Sequence, residues 1–361
     1  MSSYSKLKPL AFAAAVLGAA AAVPVSAVDA KSFTLRIGAG QAMKPLEPIF
    51  MASTYFVPTV KARVEKETDH KIRFIEAYGG TVAGPFDVLE SVEKGLFDIG
   101  LWCACFEPTK AVHFAFHYFV PFVTDDPVLQ DKITRKTYKQ FPAWTESLHK
   151  YNQKWLGAGT FSSYGLGTKF KWSKMSDLKG HKIAGAGPNL PWLKLSGATA
   201  VQTSLNEAYN SLQSGVYEGL VIFPTAWLGF KLNEPAKVFT VVGWGSTSLY
   251  QMTMNLKSYD KLPPEIRKII DEESEIWMDK SAQESSRRFD ASLKKLKETG
   301  STIQYLPFEE RAKMAAALGG WPRENAKKFD GLGLPGTALM KAYLANAEAA
   351  GIKLPHKYDL D

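Results

Sequence analysis

Leu89-Glu90-Ser91-Val92-Glu93-Lys94-Gly95-Leu96-Phe97-Asp98 and Tyr209-Asn210-Ser211-Leu212-Gln213-Ser214-Gly215-Val216-Tyr217-Glu218 are two versions of one phrase, about 120 residues apart. Each reads as a helix stopped by glycine, then an apolar residue, an aromatic and an acid at the entry to a strand. Glycine suits that stop because the residue past the last helical turn often adopts a left-handed backbone. Ser204, three residues before Glu207, has the spacing of a capping box, and Leu205, Ala208 and Leu212 form the apolar stripe of the following helix. Two such helix–glycine–strand units predict two α/β lobes of related build.

The pattern extends outward from both copies. Ser32 to Gly38 and Lys71 to Glu76 read as strands, Ala52 to Glu67 carries apolar residues at helical spacing, and Leu96 to Leu101 is a further strand. Alternating strands and helices argue for α/β architecture. Phe161 to Trp172 reads as a strand crossing between lobes. Pro263-Pro264 opens a helical pattern that runs to Gly300. Some 35 residues at 1.5 Å each reach roughly 50 Å, more than one lobe, so this helix is expected to pack along both. The expected division is a signal segment over 1–27, a first lobe over 28–155 with 243–275 returning to it, a second lobe over 156–242 with 276–320 returning, and a helical tail over 321–361.

The first residues carry an address. Lys6 and Lys8 precede an uncharged run from Leu10 to Ala22, and Val25-Ser26-Ala27 has the small residues of a cleavage site. That is the three-part pattern of a secretory signal peptide, and the run is too short to span a bilayer. The expected destination is the periplasm, with no stable membrane insertion. Cleavage after Ala27 leaves 334 of the 361 residues and lowers the formal net charge from +8 to +6. The remaining cations are interspersed with acids, as in the stretch from Lys61 to Lys71, so no nucleic-acid footprint stands out.

Several motifs suggest chemistry and fall short of it. Arg36 to Ala42 and Gly185-Ala186-Gly187-Pro188 resemble the start of a dinucleotide loop but lack the third glycine and the acid that follows, so no cofactor is expected. His113 and His117 are four apart, yet they sit among alternating aromatics with no third ligand placed, and aromatic packing is the reading. Cys103 and Cys105 are too close for good disulfide geometry and have no partner pair for zinc; they read as two small apolar residues under a pocket. No nucleophile elbow, zinc-protease helix or acid pair occurs, so no catalytic set and no metal site are expected.

Three stretches together resemble a known family, the DctP-type extracytoplasmic solute receptors of TRAP (tripartite ATP-independent periplasmic) transporters. They are Gly79-Gly80-Thr81 with the helix through Gly95 and Leu96-Phe97-Asp98-Ile99; Ser176-Asp177-Leu178-Lys179-Gly180-His181-Lys182-Ile183; and Gly197-Ala198-Thr199 followed by Asn206-Glu207-Ala208-Tyr209 and Leu212 to Gly219. The resemblance implies a two-lobed periplasmic binding protein, a Venus flytrap that closes by hinge motion over a solute and then docks on membrane permease subunits.

The departures from the family pattern bear on the solute. Most members place an Arg where this chain has Ala184, and an Asn where it has Ile222. Some carry another Arg where Tyr164 stands and a polar or acidic residue where Cys103 stands, and an aromatic position is Leu205. Arg holds carboxylates because its planar fork makes two charge-assisted bonds. Without it, a buried carboxylate costs several kcal/mol. Trp102, Phe106, Trp192, Phe223 and Trp227 lie in or near the cleft-forming segments, with Gln41 and Asn189 as polar contacts. The expected guest is therefore more apolar or aromatic than a small dicarboxylate. An aromatic monocarboxylate stays open, because Lys169, Lys171, Lys194 or Lys231 would serve as a cation from another direction. A sensing subunit of a signalling system shares every one of these features.

Overall fold

Strand alternation resolves into two sheets in the computed structural model, which describes Met1, residues 31–194 and 196–361. The expected signal segment falls, apart from Met1, outside the described residues. The first sheet has the order β2-β1-β3-β10-β4, built from β1 (Ser32–Ala39), β2 (Lys71–Ala77), β3 (Ile99–Cys103), β4 (Gln153–Phe161) and β10 (Thr247–Asn255). β1 is parallel to β2 and β3, and β10 runs antiparallel between β3 and β4. The second has the order β11-β9-β5-β8-β6-β7, built from β5 (Gly165–Thr168), β6 (Lys182–Gly185), β7 (Thr199–Gln202), β8 (Gly219–Ile222), β9 (Val238–Val241) and β11 (Thr302–Tyr305).

The repeated phrase does the same work twice. In the first lobe the helix Val88–Glu93 is followed by Gly95 at φ 75°, and in the second the helix Ala208–Ser214 is followed by Gly215 at φ 79°. The acid that closes each phrase then ties down a neighbouring parallel strand. Asp98 accepts the backbone N–H of Arg36 in β1 at 2.7 Å, and Glu218 accepts that of Lys182 in β6 at 3.4 Å. The half of the capping box that the structure shows is the carboxylate of Glu207 accepting the Ser204 backbone N–H at 3.0 Å. Leu96 to Asp98, expected as strand, form the approach to β3, which begins at Ile99.

Two strand connections and one long helix join the lobes side by side. β4 leads into β5 through Ser162–Tyr164, β9 into β10 through Val242–Ser246, and the helix Pro264–Glu298 runs along both sheets. The boundary expected at 155/156 thus falls inside β4, because the strand continues to Phe161 before it crosses. The two strand connections touch: Trp244 donates its N–H to the Tyr164 carbonyl, and Tyr164 donates its own to Gly245, each at 3.3 Å. Along the long helix, Trp277 Nε1 donates to the Pro48 carbonyl at 3.0 Å and Ser285 Oγ to the Thr160 carbonyl at 2.7 Å. Small residues at Ser281, Ala282 and Ser285 let it approach the sheet closely, while Ile276 faces outward.

Phe308–Ala316 follows the second lobe, where Glu310 accepts the Met175 N–H at 3.2 Å, and the helices Trp321–Gly331 and Gly336–Ala349 return to the first lobe. There His113 and His117 sit in an aromatic cluster with Phe114, Phe116, Trp144, Phe329 and Tyr343. Burial lowers the pKa of each histidine to about 3, so both are neutral packing residues. Among the described residues no helix is long and apolar enough to cross a membrane.

Candidate functional site

In α/β sheets ligands gather beyond the carboxyl ends of the parallel strands, and here five such ends converge from two lobes. Gln41 follows β1, Cys103 ends β3, Gly185 and Ala186 end β6, Thr203 to Leu205 follow β7, and Ile222 and Phe223 end β8. Between them lies a cavity. Tyr118, Phe161, Tyr164 and Tyr250 complete its walls, with Leu46 and Phe106 at the sides.

The lobes are closed over this space. Asn206 Nδ2 of the second lobe donates to the Gly40 carbonyl of the first at 3.3 Å. Trp192 Nε1 donates to the Tyr118 carbonyl at 2.8 Å. Gly187 packs so tightly on the Cys105 carbonyl oxygen that a Cβ on it would lie 2.4 Å away.

The wall is greasy on one side and polar but uncharged on the other. Phe161 and Phe223 stack with ring centroids 4.4 Å apart, and Tyr250 and Tyr164 meet them edge-on at 5.5 Å. The Tyr118 and Tyr164 hydroxyls share a hydrogen bond of 2.7 Å, and Tyr250 Oη donates to Gln41 Oε1 at 2.6 Å. Burial pushes the Tyr164 phenol up to about 12 and those of Tyr118 and Tyr250 well above their usual value, so all three stay protonated. Among the described residues no Lys, Arg, His, Asp or Glu lines the cavity.

Asn189 is the wall amide left over. It is fully buried against the Tyr118 phenol, and among the described residues neither its Nδ2 nor its Oδ1 meets a partner in hydrogen-bond geometry. Its Oδ1 sits 2.5 Å from where a Cβ on Gly185 would be, so glycine at 185 makes its room. An unsatisfied buried amide costs roughly 1–3 kcal/mol.

Of the twelve residues singled out from sequence, Gln41, Cys103, Phe106, Tyr164, Asn189, Leu205, Ile222 and Phe223 lie in the wall. Trp102, Ala184, Trp192 and Trp227 do not. Trp102 is next to Cys103 on a strand, so it points to the opposite face, where its Nε1 donates to Thr253 Oγ1 at 2.9 Å. Ala184 is buried inside the second sheet between β7 and β8. Trp227 fills the second lobe's core against Gly167 and Phe239. Trp192 stacks on Trp244 at 5.1 Å and braces Tyr118 and Tyr164 from behind. Lys169, Lys171 and Lys231 are exposed and outside the wall.

The cysteine reading is corrected outright. Cys103 and Cys105 form a disulfide, and both line the cavity. The chain leaves β3 after Cys103 and turns through Ala104–Phe106, which brings the two side chains together despite the short spacing. Sequence also missed Tyr118, Phe161 and Tyr250. Tyr118 lies in a run where every second residue is aromatic, and period alone does not say which faces a cleft.

Comparison with known proteins now bears on the closed two-lobed cavity. Residues 40–327 match the family model for bacterial extracellular solute-binding protein, family 7. The chain belongs to that family. As a family 7 protein it is similar in fold to TRAP periplasmic solute receptors. One is DctP7 of Bordetella pertussis, described as binding pyroglutamic acid, at 18% identity and TM-score 0.72 over 86% of this chain and 99% of that one. A marine-metagenome receptor described as specific for aromatic acid ligands, crystallised with 3-hydroxybenzoate, shares 23% identity at TM-score 0.74 over 88% of this chain and 98% of that one. A receptor from a Sulfitobacter species with bound β-D-galacturonate shares 16% at TM-score 0.71 over 86% and 99%. A curated relative, a solute-binding protein of Albidiferax ferrireducens, is 32% identical over 100 residues. That match spans 26% of this chain and 29% of the relative.

Proposed function

We propose that this family 7 protein works in the periplasm, where it captures a small, mostly apolar ring solute and delivers it to the membrane permease of a TRAP-type transporter. The observation that carries the reading is the cavity wall: among the described residues it holds no charged side chain, and its one fully buried amide, Asn189, makes no well-formed hydrogen bond. Burying about 200 Å2 of a guest's ring surface is worth about 5 kcal/mol at ~25 cal/mol per Å2. An ionised carboxylate left without a counter-charge costs several kcal/mol, enough to cancel that gain. The guest is therefore uncharged in the closed cavity, with a hydroxyl, amide or protonated carboxyl facing Asn189 and the Tyr118–Tyr164 pair.

An aromatic acid fits this account when it enters as the neutral acid. The likeness to a receptor described as specific for aromatic acids supports keeping that class in view. The two forms separate by pH. An acid taken up neutral binds about tenfold more weakly for each pH step above its own pKa, whereas a neutral alcohol or phenol binds evenly.

The test is a thermal-shift panel of single-ring alcohols, phenols and aromatic acids against succinate and malate, since a ligand stabilises the folded state by mass action. Mass spectrometry of the solute released on denaturing freshly purified protein runs beside it. Shifts with ring solutes, and a ring compound in the extract, support the reading. Shifts with the dicarboxylates alone refute it.

A further inference from the structure

The Cys103–Cys105 disulfide occupies an unusual place, because it belongs to the cavity wall and to the seam between the lobes at once. Both half-cystines line the cavity and both are buried in the closed form. The carbonyl oxygen of Cys105 is the surface on which Gly187 of the opposite lobe seats. Gly187 has φ 50°, and its place against Cys105 leaves no room for a side chain. It opens the turn Gly187–Asn189, which ends at the unpartnered amide. A short path thus runs from the disulfide of one lobe, across a single close backbone contact, to the polar group offered by the other. Phe106, next in the loop, packs on Phe86 at 4.6 Å and holds the far side of the turn.

We propose that the Cys103–Cys105 disulfide is a closure determinant: it fixes the seat for Gly187, so that the oxidised protein closes and holds its solute more tightly than the reduced one. The ring solute of the proposed function is the guest assumed here. With the bridge intact, residues 103–105 are already ordered when the lobes meet. Reduction by a dithiol breaks the S–S bond and leaves two thiols. Two electrons and two protons pass from the dithiol, which closes to its own disulfide. The loop then regains conformations that closure must remove again. Fixing one residue's backbone costs enough to weaken binding about tenfold.

Linkage makes the effect reciprocal. If the disulfide favours the closed, loaded form, a bound solute must protect the disulfide. The buried position of both sulfurs gives the physical route, since a reductant reaches them only when the lobes part.

The experiment uses the full protein in two arms. In the first, hydrogen exchange is followed on ligand-free protein, oxidised and after dithiothreitol, in the peptides covering 103–107 and 185–190. Faster exchange at 103–107 alone is a local effect of the cut bond and overturns the proposal. Faster exchange at 185–190 as well, in the opposite lobe, is the expected result. In the second arm, benzyl alcohol and benzoate are titrated into oxidised protein, reduced protein, a C103A/C105A double variant and Gly187→Ala. Binding about tenfold weaker in the reduced protein and the double variant is expected. Gly187→Ala should bind weakly in both redox states, with no further loss on reduction. Equal affinity in oxidised and reduced protein overturns the proposal. If neither probe binds the oxidised protein, the ring-solute reading fails, and the exchange arm alone decides the closure claim.

Discussion

Replacing Glu47 with Gln should flatten the fall in stability toward alkaline pH. Glu47 stands in the first turn of the helix that follows the wall residue Leu46. It is fully buried, and among the described residues neither carboxylate oxygen meets a partner in good hydrogen-bond geometry. Burial raises its pKa from 4.5 to about 7; its own backbone N–H, the nearby Thr225 hydroxyl and Arg288 pull the other way, and Glu284 adds to the rise. In the unfolded chain the proton leaves near 4.5, and in the folded protein near 7. Below 4.5 both states hold it, so it costs nothing. Between the two values folding takes up a proton, and stability falls as pH rises. Above about 7 the cost is complete. The gap corresponds to about 3 kcal/mol, or about 4 °C in Tm for a protein of this size. Thermal unfolding by circular dichroism at pH 4.5 and 8.5 measures it. Wild type and Glu47→Gln should agree at the lower pH, and the variant should melt about 4 °C higher at the upper. Glu107 and Asp131, buried and raised to about 8 and about 6, tilt both proteins alike, so the difference between them is the readout. Parallel melting temperatures across the range would refute the assignment.

Other substitutions probe the wall and what lies behind it. Asn189→Leu removes the unpartnered amide, so the ligand-free protein should gain roughly 1–3 kcal/mol in urea unfolding while its affinity for benzyl alcohol drops about tenfold and that for toluene holds. Phe223→Ala deletes one ring of the stack with Phe161; it should cost about 3–5 kcal/mol of stability and weaken every ring solute in calorimetry. Trp102→Phe loses the bond to Thr253 on the far side of β3 and part of a buried ring, so about 2 kcal/mol of stability should go with affinity unchanged. A change in affinity there would place Trp102 in the wall after all.

Much of the fold was legible because it is written in local signals. The paired helix–glycine–strand phrase marks both central strands, β3 and β8, and the proline pair marks the start of the long helix within one residue. The cavity was legible where it lies at strand ends, as at Cys103, Ile222 and Phe223. It was illegible where neighbours in sequence part company in space. Trp102 and Cys103 sit side by side and face opposite ways, and a count of nearby aromatics does not separate them. Trp192 and Trp227 are large and close to the cleft, yet they serve as a brace and as core. The disulfide was illegible because a two-residue spacing reads as too tight to bridge, whereas the backbone turns as soon as it passes Cys103. Tyr250 arrives from a strand almost 150 residues after Cys103 and pairs with it directly, which no local pattern announces.

Titration calorimetry of the purified protein at pH 7.5, with benzyl alcohol and succinate at low and high salt, addresses the uncharged cavity most directly. The account predicts saturable heat from the alcohol with a negative heat-capacity change, little dependence on salt, and none from succinate. Tight succinate binding that weakens as salt is added would mean that a cation holds the guest, and would contradict it.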